Sequence, residues 1–232
     1  MRVLAGTSGF SYKEWKGSFY PADMKPDGML SYYAERFDTV ELNNTFYRLP
    51  NESTLQGWAS QVPATFRFAL KASRIITHSK RLRDVAEPVE YLCRVTRSLG
   101  EARGPILFGL PPNMKLDLDR LRGLLVLIPS DVRAAIEFRH ESWHDDVVFD
   151  TLREHNTAIC IAESADEATP FVATADWGYV RLRKVEYTDA EIAGWRARVG
   201  AQAWSDAYVY FKHEDAGTGP RLARAFLGEE EG

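Results

Sequence analysis

The chain has 232 residues, a formal net charge of −4 and 45% hydrophobic residues, which fits a globular protein with a full core. This charge balance argues against a dedicated DNA-binding or membrane-surface protein. Cys93 and Cys160 lie far apart and in no metal-type spacing, so neither a zinc motif nor a disulfide framework is indicated. The longest apolar run, residues 124–128, is too short to span a bilayer, and residues 1–6 contain no apolar signal core. We therefore expect a cytoplasmic protein.

Eight short strand-like segments follow one another along the chain, each bounded by Gly, Pro, Asn or charged residues. They are residues 3–8, 39–44, 67–72, 106–111, 133–139, 158–163, 179–183 and 207–212. Helix-like segments lie between most of them. These are residues 29–37, 53–61, 88–99, 117–127, 145–155, 189–199 and 220–227. Ser53, Asp117 and Asp189 are the candidate N-caps, and Pro88 and Pro220 suit a first helical turn.

The link after the sixth strand differs from the others. Residues 164–176 contain Pro170 and little helical periodicity, which predicts a loop with at most a short turn. No linker rich in Gly, Ser or Pro interrupts the chain. We therefore predict a single domain over residues 1–228, followed by an acidic tail over residues 229–232.

Polar and apolar residues alternate along several strands, which distinguishes between two α/β arrangements. In an open doubly wound sheet, helices cover both faces and the central strands are apolar throughout. Here Val40 and Leu42 alternate with Glu41 and Asn43, and four further strands show the same split. In a closed barrel the apolar set faces the helices and the polar set faces the interior. The pattern predicts a (β/α)8 TIM-barrel-like fold, a closed parallel barrel with helix six short or missing.

The polar residues of the interior set lie late in their strands, where TIM barrels place active sites. The set contains Glu41, Asn43, Lys71, Glu137, Arg139, Arg181, Arg183 and Lys212. Basic residues outnumber acidic ones, and a buried unpaired charge is expensive, so these groups must pair, reach water or meet a ligand. One interpretation is an internal salt-bridge network. The other is a pocket for a phosphate or carboxylate, which the excess of positive charge favours.

Histidines near the same end are candidate proton-transfer groups. His140 or His144, just after strand five, can act as a general acid or base with Glu137 as the orienting carboxylate, although a hydrogen-bonded structural histidine is the commoner use. His78 belongs to the basic segment 77–81. That segment is either a mobile lid over the pocket or a solvated surface loop.

Several weaker sequence patterns concern possible metal, phosphate and cofactor sites. A divalent metal held by Glu137, His140 and Glu163 is an alternative that their spacing does not specify. The Gly-Thr-Gly of residues 216–220 leads into a helix N-terminus that suits a phosphate, although an ordinary turn is the commoner use. No Gly-x-Ser-x-Gly elbow, Walker loop or dinucleotide fingerprint occurs, so no cofactor is evident.

Aromatic residues are dense in the loops after the first two strands. They are Tyr12, Trp15, Phe19, Tyr20, Phe46 and Tyr47. Such a cluster can stack on a sugar or base, but it more often caps the barrel as an apolar plug. Tyr47 and Trp143 are the two aromatic residues that we predict to contact a substrate.

These segments together resemble the domain of unknown function 72 family, the YecE-like proteins. The matching stretches are residues 6–12 with Trp15 and residues 19–21, residues 41–47, residues 71–72 with 76–78, residues 110–112, residues 137–140 with 142–143, and residues 179–182 with Tyr187. They cover nearly the whole chain in order. The resemblance implies a TIM-barrel-like fold in a mostly bacterial and archaeal family, and it implies no established reaction.

The chain departs from that family's pattern at two places. Members tend to have His-Gly after the Arg-Leu of strand seven, where this chain has Arg183 and Lys184. They tend to have Asn-Asn after the last Phe, where this chain has Lys212 and His213. Both departures predict additional positive charge at the mouth of the barrel, and with it an altered ligand specificity.

The leading hypothesis is an enzyme, of hydrolase or lyase type, acting on a small anionic substrate that includes phosphorylated compounds. Lys71, Arg139 and Arg181 would bind the anion. Glu137 or Glu41 would be the general base, with His140 or His78 as the proton donor. The alternatives are a non-catalytic binding protein for an anionic metabolite or a nucleic-acid end, and a metal-dependent phosphodiesterase-like barrel.

Overall fold

The eight predicted strands are all present, and every pairing between neighbouring strands is parallel. The computed structural model describes residues 1–164 and 168–229. The strands are β1 (Arg2–Thr7), β2 (Thr39–Leu42), β3 (Arg67–Lys71), β4 (Arg103–Gly109), β5 (Ala134–Glu137), β6 (Ala158–Glu163), β7 (Gly178–Leu182) and β8 (Asp206–Phe211). Their order in the sheet, β1-β8-β7-β6-β5-β4-β3-β2, confirms the predicted TIM-barrel-like topology.

The seam between β1 and β2 closes the barrel with few backbone hydrogen bonds. A single bridge pairs Ser8 with Glu41 at the end of the two strands. Further down the seam the Tyr33 hydroxyl accepts a hydrogen bond from the Thr7 amide at 2.8 Å and donates one to the Thr39 carbonyl at 3.1 Å. One buried side chain thus satisfies a donor of one strand and an acceptor of the other, as a ladder hydrogen bond would.

Helices cover the outside of the barrel between most of the strands. They are α1 (Met29–Ala34), α2 (Glu52–Ala59), α3 (Ala86–Thr96), α4 (Leu118–Leu125), α5 (Asp146–Glu154), α6 (Asp189–Gly200) and α7 (Thr218–Leu227). Between β6 and β7, no helix occurs at residue 164 or over residues 168–177, in agreement with the prediction for this link. Within the described ranges, no helix has the length and apolarity needed to cross a bilayer. Residues 230–232 of the predicted tail lie outside those ranges.

Helix N-caps agree with the prediction at one of three places. Asp117 caps α4 as predicted, by accepting a hydrogen bond from an amide of the first turn. At α2 the cap is Asn51, not Ser53, and the Ser53 hydroxyl itself donates to the Asn51 side chain. At α6 the cap is Thr188, not Asp189, because Thr188 completes a capping box with the third helical residue.

The alternation along the strands divides the core as predicted. The outward set packs between the sheet and the helices and contains Val40, Leu42, Phe68, Leu70, Ile136, Phe138, Val180, Leu182, Val209 and Phe211. The inward set forms a second cluster inside the barrel and contains Leu4, Ala69, Leu107, Ala135, Ala158, Cys160, Ala162, Trp177, Tyr179, Tyr208 and Tyr210. The interior is therefore a packed core below the strand ends. The charged residues of the inward set lie beyond this core, at the carboxyl ends of the strands.

Candidate functional site

Three charged residues from three strands meet inside the barrel at the carboxyl ends of the strands. The Arg181 guanidinium of β7 donates to Glu137 of β5 at 2.8 Å and to Glu41 of β2 at 2.9 Å. The three residues are at most 2% exposed. We call Glu41, Arg181 and Glu137 the closed triad. Its geometry matches the salt-bridge network that was one of the two interpretations of the interior charge.

Both oxygens of Glu41 are engaged by neighbouring groups. Oε1 accepts from Ser8 at 2.7 Å and from Asn43 at 3.1 Å, in addition to Arg181, and Oε2 accepts from the Tyr179 hydroxyl at 2.7 Å. Burial alone would raise the pKa of Glu41. The Arg181 charge and the hydrogen bonds from Ser8 and Tyr179 outweigh it and hold that pKa below its ordinary value. Glu41 is therefore an ionised, saturated carboxylate, which argues against the predicted role of general base.

Glu137 is ionised for a related reason. Burial opposes ionisation, but the charges of Arg181, Arg183 and Arg139 lower the pKa of Glu137 to about 2. Arg183 Nη2 lies 3.1 Å from Glu137 Oε1, which is an ion contact without hydrogen-bond geometry. A carboxylate held this far below neutrality is a weak base, and Glu137 is only 1% exposed. The geometry therefore disfavours the base role predicted for Glu137 as well.

Two further cations lie at the same end of the barrel, and we call Lys71 and Arg139 the cationic edge. His78 lies beside Lys71. The Lys71 ammonium lies 4.8 Å from the centre of the Phe46 ring. In the described part of the chain it makes no ion pair and no hydrogen bond. Burial and then the Arg181 charge lower the pKa of Lys71, and the nearby carboxylates only partly offset this.

Arg139 also lacks a carboxylate partner among the residues that the structure describes. Its Nε atom is buried and makes no hydrogen bond, although the side chain as a whole is half-buried. Arg139 lines a cleft of about 400 Å3 just beyond β5. The other lining residues are Phe138, His140, Glu141, His144, Ala168 and Thr169. An arginine in this state retains donors for a ligand.

His78 belongs to a single π-helical turn, Ile75–Ser79, directly after β3. Its ring stands edge-on to Phe46 at a centroid distance of 4.9 Å, so Lys71 and His78 contact the same aromatic ring. Nδ1 lies 2.9 Å from the Thr77 hydroxyl. Burial and the Lys71 charge lower the pKa of His78, so the imidazole is neutral at pH 7 and can exchange a proton.

The predicted metal ligands do not converge. His140 Nδ1 accepts a hydrogen bond from the Ser142 amide at 3.1 Å, and thereby caps the turn after β5. The Glu163 carboxylate accepts a hydrogen bond from the Trp195 indole at 3.0 Å. In the regions described here, no three His, Cys, Asp or Glu side chains lie close enough to hold a metal ion, so Glu137, His140 and Glu163 form no such site.

Three of the predicted substrate contacts lie in different environments. Trp143 is fully buried, stacks on Phe138 at 4.8 Å and donates its indole N–H to the Met114 carbonyl, which corrects its predicted ligand contact to a packing role. Tyr47 is 74% exposed beyond β2. Lys212 is exposed just after β8. Of these three residues, only Tyr47 and Lys212 are accessible to a ligand.

The Gly-Thr-Gly loop before α7 packs against the first loop of the chain. A Cβ atom at Gly217 would lie 2.8 Å from the Ser18 hydroxyl, and one at Gly219 would lie 3.5 Å from the Trp15 ring. The absence of side chains at the two glycines therefore leaves room for another loop of the chain and not for a phosphate. Trp15 and Tyr20 are at most 2% exposed, so the aromatic residues of this loop form the apolar plug.

The two departures from the family pattern add less charge to the mouth than predicted. The Lys184 ammonium pairs with Glu191 of α6, and the Lys184 carbonyl accepts a hydrogen bond from His213 Nε2 at 2.6 Å. Lys184 therefore ties the end of β7 to α6, and His213 ties the end of β8 to that of β7. Arg183 contacts Glu137 of the closed triad.

Two buried hydroxyl groups of the site were absent from the predicted set. Ser8 and Tyr179 both donate to Glu41. Tyr179 lies on the inward parity of β7, two residues before Arg181, and Ser8 follows β1 on the inward parity. The alternation that selected the interior set also indicates these two, and the restriction to charged and amide side chains left them out.

Comparisons with known proteins agree with this architecture. The sequence profile of a family described as "Protein of unknown function DUF72" matches residues 4–231. A DUF72 family protein from Thermotoga maritima has a similar structure, with a TM-score of 0.87, 26% identity and 98% of each chain covered. A DUF72 family protein from Enterococcus faecalis matches with a TM-score of 0.79 and 18% identity over 99% of this chain and 97% of that one.

More distant similarity concerns the fold alone. A D-psicose 3-epimerase from Clostridium cellulolyticum, solved with D-tagatose, matches with a TM-score of 0.52 and 10% identity over 100% of this chain and 93% of that one. No protein in a curated collection matches. The fold is thus that of a TIM barrel, and the chemistry of the site must be argued from its own residues.

Proposed function

Because the chain belongs to the DUF72 family, whose description assigns no reaction, we propose from the site itself that the barrel mouth binds a small anionic substrate through Lys71 and Arg139. The substrate class is a carboxylate or a phosphate. The observation that carries this proposal is the contrast in ion pairs: Arg181 pairs with two carboxylates, whereas no carboxylate lies within ion-pair distance of Lys71 or Arg139 within the described ranges. An anion supplied by a ligand would stabilise both cations.

The closed triad supports this site without taking part in it. Arg181 is 2% exposed and its two terminal nitrogens already donate to Glu137 and Glu41, so it has no contact surface for a ligand. The two carboxylates nevertheless balance part of the positive charge in this layer. Without them, the cationic edge would face Arg181 with no compensation, at a high electrostatic cost.

Proton transfer in this proposal falls to His78. A neutral imidazole near pH 7 matches what a general acid–base group requires, and the Thr77 hydroxyl fixes the position of the ring. Glu41 and Glu137 are buried and ionised, so they do not meet the same requirement. This set of groups best supports the activity of a hydrolase or a lyase.

Calorimetric titration with inorganic phosphate and with malonate at low ionic strength tests the proposal. We expect saturable binding by the wild type, and affinities roughly tenfold to a hundredfold weaker for Arg139→Met and for Lys71→Met, because each loses a charge-assisted contact. Arg94→Met is the matched control, since Arg94 is an exposed surface residue paired with Glu52. The absence of saturable binding for both anions, or equal affinities in all four proteins, would contradict the proposal.

A further inference from the structure

Lys71 differs from a simple anion-binding lysine in its surroundings. Its side chain runs along the inside of the barrel beside Gly109, where an added Cβ atom would lie 3.5 Å from Lys71 Cε. Its amine faces an aromatic ring, and its electrostatic neighbours are the guanidinium groups of Arg181 and Arg139 and the carboxylates of Glu137 and Glu41, whose opposing effect on the Lys71 pKa is smaller than that of burial and the like charges. A lysine held among like charges and apolar surface exists more readily as a free amine than an exposed lysine does.

Two other lysines of the chain provide a contrast. Lys80 donates to the Asp84 carbonyl at 2.8 Å, and Lys184 pairs with Glu191. Both groups lie at the surface, and each has an acceptor within hydrogen-bond distance. Lys71 thus combines an inward position with the absence of such acceptors in the described part of the chain.

We infer that Lys71 is a nucleophile that forms a Schiff base with a small carbonyl compound carrying an anionic group, such as a 2-oxo acid or a phosphorylated aldehyde or ketone. This inference rests on the proposed function and specifies its substrate class. Arg139 would hold the carboxylate or phosphate, and the carbonyl carbon would face Lys71 Nζ.

The step balances with groups already in the site. The free amine attacks the carbonyl carbon to give a carbinolamine, whose nitrogen loses a proton. The hydroxyl group then takes up a proton and leaves as water, and a carbon–nitrogen double bond replaces the carbon–oxygen bond. His78 is the positioned proton carrier, because it contacts the same Phe46 ring as Lys71 and is neutral near pH 7.

Reductive trapping tests this inference directly. The intact protein is incubated with glyoxylate and sodium cyanoborohydride, which delivers hydride to the imine carbon and leaves a stable secondary amine on the lysine. Peptide mass spectrometry then locates the adduct. We expect Lys71 to be modified roughly tenfold faster than any exposed lysine, and malonate to slow the reaction. Modification spread over the exposed lysines without preference for Lys71 would overturn the inference.

Two variants separate this inference from the proposed function. Lys71→Arg keeps the positive charge without a comparable nucleophile, so it should bind phosphate but lose the fast adduct. Lys80→Met, a surface control, should keep both. If the wild type binds phosphate and malonate but gives no Lys71 adduct, the Schiff-base inference fails and the anion site stands. If it neither binds these anions nor gives the adduct, both fail.

Discussion

The closed triad and the cationic edge occupy the same layer of one barrel, at the ends of neighbouring strands, yet they differ in how their charges are satisfied. Arg181 faces a carboxylate on each side, and hydroxyl groups complete the shell of Glu41. The Lys71 ammonium faces an aromatic ring and makes no ion pair, and Arg139 has no carboxylate partner, as far as the chain is described. A charge that the protein satisfies contributes to the fold, whereas a charge left unsatisfied indicates a ligand.

The largest expected effect comes from opening the closed triad. Arg181→Met leaves the buried Glu41 without its paired cation and Glu137 with Arg183 alone, which should lower the free energy of unfolding by about 3–5 kcal/mol. Urea denaturation at pH 7 measures it. Arg94→Met, which removes an exposed ion pair, should change stability by less than about 1 kcal/mol. An Arg181→Met protein as stable as that control would show that the triad is not a stabilising unit.

The pH dependence of the free energy of unfolding also tests the closed triad, and here we expect a moderate effect. Because Arg181 and its neighbours lower the pKa of Glu137 from 4.5 to about 2, the folded state binds a proton there less readily than the unfolded chain. This contribution to stability is complete above pH 4.5 and is lost as the pH falls towards 2. Between pH 5 and pH 3, the free energy of unfolding measured by urea denaturation should therefore fall more for the wild type than for Glu137→Gln. Equal losses would contradict the assigned ionisation.

The alternation of residues along the strands was sufficient to predict the barrel and the inward position of the charged layer. Parity along a strand determines which face a side chain occupies, and the interior cluster of tyrosines and small residues confirms it. It does not determine which charges pair, because that depends on how far each strand is staggered relative to the others. Arg181 reaches Glu41 and Glu137 from a strand that adjoins neither β2 nor β5 in the sheet.

The residues after the strands were harder to predict, since their direction depends on local turns. Trp143 follows a polar segment and resembles a mouth residue in sequence, but His140 caps the turn after β5 and the indole stacks back on Phe138. In sequence terms the Gly-Thr-Gly loop was compatible with a phosphate site as well as with an ordinary turn, which is the commoner use. Its contact with Ser18 and Trp15 involves residues about 200 positions away, which no local pattern contains.

The smallest expected effect on stability comes from the cationic edge. Burial and the Arg181 charge lower the pKa of Lys71, so between its folded pKa and 10.5 the unfolded chain binds a proton that the folded chain releases. Stability therefore rises with pH across that window, and at pH 7 the charged lysine costs the folded state free energy. Lys71→Met removes this cost, so the variant should be as stable as the wild type to within about 1 kcal/mol, or more stable, at pH 7.

The stability advantage of Lys71→Met should shrink as the pH approaches 10, because the wild-type amine then becomes neutral in the folded protein. Urea denaturation of both proteins at pH 7 and pH 9.5 measures the change. A loss at pH 7 as large as that of Arg181→Met would place Lys71 inside the closed triad and remove the contrast on which the anion site depends. A neutral or stabilising result, combined with weaker phosphate binding, would show that Lys71 is retained for its ligand at the expense of stability.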